Sequence, residues 1–81
     1  MTSRQELFRR LRPLLAGALG ADEEEIDLDT NVYDDLNADV LEFHDEVIPM
    51  IEENFGVTID DDEVPELTTV RELVAYLAEN I

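Results

Sequence analysis

Apolar residues recur at helical spacing in three separate blocks of this chain, and each block has its own start or stop signal. Leu7, Phe8, Leu11, Leu14, Leu15, Ala18 and Leu19 form the first stripe. Ser3 and Glu6 ahead of it fit a capping box, and Gly20 closes it. Pro13 lies inside that block, so a kink or a division of the helix is expected there. In the second block Asp39 is placed to cap, Val47, Ile48, Ile51 and Phe55 form the stripe, and Gly56 ends it. At its start the stripe continues through Val40 and His44, or through Leu41 and Phe43 if the register shifts. Pro49 inside this block predicts a second kink or a bulge. The third block opens on a Thr69–Glu72 capping box and runs through Val70, Leu73, Val74, Leu77 and Ile81.

What lies between the blocks has no sustained period. Residues 21–36 read as a long ordered loop pinned by Ile26, Leu28, Val32 and Leu36. Residues 57–59 are too short and isolated to build a sheet. Residues 60–67 have room for one helical turn, limited by Pro65. The expected architecture is therefore all-α, three main helices and a short one around one modest core, in a single domain over residues 1–81.

Charge then narrows the function. Asp and Glu number 22 against 5 Arg and Lys, a formal net charge of -17. All the bases are arginine: Arg4, Arg9, Arg10, Arg12 and Arg71. Such a surface repels nucleic acid and anionic lipid and attracts basic protein surfaces or cations. A hydrophobic share of 44% is too high for a disordered acidic tail, so the chain is expected to fold. The absence of cysteine excludes disulfides, thiolate chemistry and cysteine-type zinc sites. No apolar run reaches the length of a membrane span and no signal-peptide pattern opens the chain, so a cytoplasmic monomer is expected.

Several segments, in order, resemble those of acyl carrier proteins. Leu19-Gly20-Ala21 followed by Glu24-Glu25-Ile26 resembles the end of that family's first helix and the start of its long loop. The run from Asp35 through Leu36, Asn37, Ala38, Asp39 and Val40 to Leu41 resembles the family's Asp-Leu-Gly-Ala-Asp-Ser-Leu signature. Residues 51–59 and 68–70 resemble the end of the second helix and the approach to the last. The resemblance implies a four-helix bundle with a short third helix. It also implies that the signature serine carries 4′-phosphopantetheine, whose thiol holds the acyl group. Val40 occupies that place and has no hydroxyl, so no phosphopantetheine is expected. Ser3, the only serine, sits at the first helix cap, and Thr30 lies well back in the loop. Val40 itself would then be a packing residue turned inward. From Val40 to Phe55 the second helix counts one residue longer than the family pattern, and a π-bulge near Pro49 would absorb it.

The resemblance also implies that partner enzymes read the second helix through basic patches, which singles out Asp39, Leu41, Glu42, Asp45, Glu46, Glu52 and Glu53 as partner-binding. Asp35, Asn37, Asp39 and Glu46 match positions 1, 3, 5 and 12 of a calcium loop, but Val40 stands where that loop needs glycine. Asp60, Asp61, Asp62 and Glu63 read as a solvated cluster. His44, the only histidine, has no serine or cysteine nearby to activate and too few imidazole companions for catalytic zinc, so no enzyme is expected. It belongs at the edge of the core or near the acidic face. The function expected is non-covalent protein interaction or regulation linked to fatty-acid, polyketide or related biosynthesis. Two alternatives remain: a carrier whose native serine is replaced in this chain, and a divalent-cation-binding acidic module.

Overall fold

The computed structural model describes residues 3–81. Helix α1 spans Arg4–Leu19, with the Ser3 hydroxyl accepting the Glu6 N–H at 3.2 Å. Gly20 ends it at φ 66, the left-handed conformation that glycine adopts without cost. Of the two outcomes expected at Pro13, division does not occur: α1 runs through it as one helix. A proline in a helix interior costs roughly 3 kcal/mol. Leu11 and Leu15, both fully buried, flank it and each contributes about 2 kcal/mol, which offsets that cost by anchoring both sides of the proline in the core.

The second helix, α2, is continuous but composite: Val40–Glu42, a π turn at Phe43–Val47, then Ile48–Phe55. Within the π turn the Ile48 N–H reaches back five residues to the Phe43 carbonyl. Pro49 follows directly. It has no N–H to continue the ordinary ladder, and the wider turn moves its ring away from the carbonyl it would otherwise strike. The expected bulge is therefore present, just ahead of the proline. Gly56, at φ 67, ends α2. Arg10 of α1 clamps that end: its guanidinium lies 4.5 Å from the Phe55 ring centre and donates to the Asn54 carbonyl at 3.2 Å.

Helix α3 spans Val70–Asn80 and opens on the complete Thr69–Glu72 capping box. The expected short helix in residues 60–67 is a single 3₁₀ turn, Val64–Glu66, with Pro65 in its first turn, where a helix needs no donor. A second 3₁₀ turn, Glu23–Glu25, opens the long loop. There are no strands among the described residues, and the fold is all-α.

The core joins Leu7, Leu11 and Leu15 of α1 to Phe43, Val47 and Ile51 of α2 and to Val70, Leu73 and Leu77 of α3. The long loop is fastened by backbone pairing. Val32 donates to Thr68, Val70 to Thr30 and Arg71 to Leu28, at 2.8 to 3.0 Å. Ile26, Val32 and Leu36 are buried as expected, while Leu28 is only half-buried. No helix among the described residues is long and apolar enough to cross a membrane.

Candidate functional site

Asp39 places the start of α2. Its carboxylate accepts the Leu41 N–H at 2.7 Å and the Glu42 N–H at 3.1 Å, meeting two of the donors that a helix start leaves unpaired. The next two residues, Val40 and Leu41, point outward. They are 70% and 71% exposed, the two large apolar side chains that the described residues present side by side. This corrects both the inward reading of Val40 and the stripe continued through it. Of the residues considered for the start of the stripe, only Phe43 is buried. The cause is the π turn: one residue more than an α-helix needs swings everything before it about 100° off the stripe.

Acidic residues follow this pair along α2. Asp45 and Glu46 are exposed and Glu42 is half-buried. Glu53 lies farther along, also exposed. Glu52 is half-buried, and its carboxylate accepts the Ile59 N–H at 2.8 Å. It thereby ties residues 57–59 to α2.

Beside Val40 lies a cavity of about 310 Å³ lined by Tyr33, Val40, His44, Asp61, Val64 and Pro65. Tyr33 packs on Phe43 with ring centres 5.5 Å apart. His44 is exposed near the acidic face, with Nε2 3.2 Å from Asp61 and Nδ1 3.6 Å from Asp45. Tyr33 is the one hydroxyl-bearing residue among those lining the cavity. Burial pushes its phenol above 10, which keeps it protonated and a poor nucleophile. Thr30 is buried, with its hydroxyl held by the Glu25 carbonyl and the Asp27 carboxylate at 3.2 Å each. Val40 offers carbon only. The residues present therefore do not fit a phosphodiester-linked prosthetic arm at this place.

The proposed calcium ligands are not assembled. The Asp35 carboxylate accepts the Asn31 N–H at 2.8 Å, Asp39 caps α2, and Asn37 turns the chain at φ 57. Among the described residues no three carboxylate or imidazole groups are placed to hold a metal ion.

Comparison with known proteins agrees with this architecture. The family described as "Phosphopantetheine attachment site" matches residues 9–77. The acyl carrier protein of Petrotoga mobilis is 38% identical over 98% of this chain and 92% of its own length. That of Thermotoga maritima is 33% identical over 100% of this chain and 99% of its own. Among solved structures, the acyl carrier protein from Enterococcus faecalis superposes with a TM-score of 0.78 at 25% identity, covering 99% of this chain and 100% of the other.

Proposed function

This chain belongs to the acyl carrier protein family, whose members are carriers rather than enzymes, and on that premise we propose that it has kept the recognition surface and lost the covalent cargo. It acts in the cytoplasm as a single-domain monomer that occupies a carrier-binding surface on a biosynthetic or regulatory protein in fatty-acid, polyketide or related metabolism. No phosphopantetheine is attached. One observation carries this reading: Val40, without a hydroxyl, stands exposed at the first position of α2, where the signature of the family places its serine.

The surface consists of Val40 and Leu41 at the centre, with Asp39, Glu42, Asp45 and Glu46 around them and Glu53 at the margin. Exposed apolar side chains supply contact area, while the surrounding carboxylates steer a basic partner and set the rate of encounter. A non-covalent competitor of this kind is tested against an ordinary acyl carrier protein and an enzyme that processes it. The chain should inhibit the reaction competitively without being consumed, and inhibition should weaken as salt rises. Leu41→Asp should abolish it. Failure to inhibit at low salt would remove the proposal.

A further inference from the structure

We propose a second binding site, in the cleft between the start of α1 and the start of α3, for an amphipathic anion: one carboxylate on a short aliphatic tail. The cleft holds about 460 Å³ and is lined by Arg4, Gln5, Phe8, Leu28, Arg71 and Val74. It is larger than the cavity beside Val40 and shares no residue with it. It therefore stands or falls separately from the carrier-like surface.

Its composition is unlike the rest of the molecule. Acids outnumber bases by 22 to 5, yet no carboxylate lines this cleft and two of the five arginines do. Buried Val74 and half-buried Phe8 and Leu28 give it an apolar floor. An apolar floor under two guanidinium groups selects a ligand with a tail and one negative head. A cleft of a few hundred Å³ suits a small molecule of about eight carbons rather than a long chain.

Arg71 is already paired, and the form of that pair matters. Its Nε and Nη2 both donate to one oxygen of Asp29, at 3.3 and 2.9 Å. The other guanidinium nitrogen, Nη1, takes no part in that pair. Both partners are well exposed, at 60% and 83%, and ion pairs in such positions contribute little to stability. A ligand carboxylate takes the place of Asp29 at small cost. Asp29 is thus a competitor for the site, which a purely structural role for the Arg71–Asp29 pair would not make it.

The test is a two-dimensional NMR titration of the full chain with sodium octanoate at low salt. Saturable shifts centred on Phe8, Leu28 and Val74 are expected. Arg4→Gln and Arg71→Gln should each weaken binding by about tenfold, the loss of one charge-assisted contact. Asp29→Asn should tighten it severalfold. Arg4→Gln alters an exposed residue and keeps the test valid if the Arg71 variant fails to fold. Octyltrimethylammonium binding the cleft as tightly as octanoate, indifference to Arg4→Gln, or weaker binding by Asp29→Asn would each overturn the proposal. So would shifts at these residues that grow with protein concentration without octanoate, since the occupant would then be a second copy of the chain.

Discussion

The Asp39 carboxylate accepts the backbone N–H of Leu41 at 2.7 Å, and this bond fixes the start of α2 at the two residues, Val40 and Leu41, that face solvent. A single cap thus serves both the fold and the surface. Asp39→Ala should lower stability by about 1 kcal/mol, the usual cost of losing an N-cap. Urea denaturation measures this directly, and an unchanged midpoint would show that the cap does not hold the helix start.

The π turn makes a sharper prediction. Phe43, Val47 and Ile51, each four residues from the next, are all fully buried, and the first two bracket the π turn. Deleting Asp45 should let the turn close to ordinary α geometry while both Phe43 and Val47 still reach the core. The variant should unfold cooperatively with a midpoint near that of the parent. Deleting Glu53, in the regular part of α2, should instead rotate Phe55 away from Arg10 and lower the midpoint clearly.

Arg10 bridges α1 to the end of α2 by its contact with the Phe55 ring and the Asn54 carbonyl. Arg10→Ala should cost roughly 1 kcal/mol, from one cation–π contact and one charge-assisted hydrogen bond at an exposed place. Arg10→Lys should recover only part of this, because an ammonium does not stack as a planar guanidinium does. Urea midpoints of the three proteins give the comparison.

Glu72 gives the pH dependence. Burial pushes its carboxyl up, but hydrogen bonds from the N–H and hydroxyl of Thr69 and of Thr68 outweigh that and hold it below the usual carboxylate range. A carboxyl lowered in the folded state stabilises above its unfolded pKa, and the contribution is lost as pH falls through the lowered value. Glu72→Ala should therefore lower the urea midpoint at about pH 7, and the difference from the parent should shrink at about pH 3. A difference that stays constant would assign the effect to something other than the charged form.

Much of this was legible in the sequence because it is local. Ser3, Asp39 and Thr69 cap the helices as their spacing predicts, and Gly20 and Gly56 take the left-handed conformation where the stripes end. Misreadings came where distant contacts override local preference. Pro13 does not break α1 because buried leucines on either side hold it. Glu52 looks like an exposed helix carboxylate until Ile59 is seen to claim it. The π turn has a sequence signal in Pro49 and the residue count of the second helix, but its effect on Val40 has none: a shift in helical phase is invisible to a periodicity count that assumes one pitch throughout. The cleft under Arg4 and Arg71 joins residues far apart in the chain and had no sequence signal beyond the scarcity of arginine.

Whether position 40 bears a prosthetic arm is decided most directly by intact mass. The purified chain is incubated with coenzyme A and a phosphopantetheinyl transferase, beside its Val40→Ser variant, in which the exposed first residue of α2 regains a hydroxyl. The expected result is an unchanged mass for the chain with Val40 and a gain of one phosphopantetheine for the variant. A gain of that group by the chain with Val40 would contradict the reading of a carrier fold without covalent cargo.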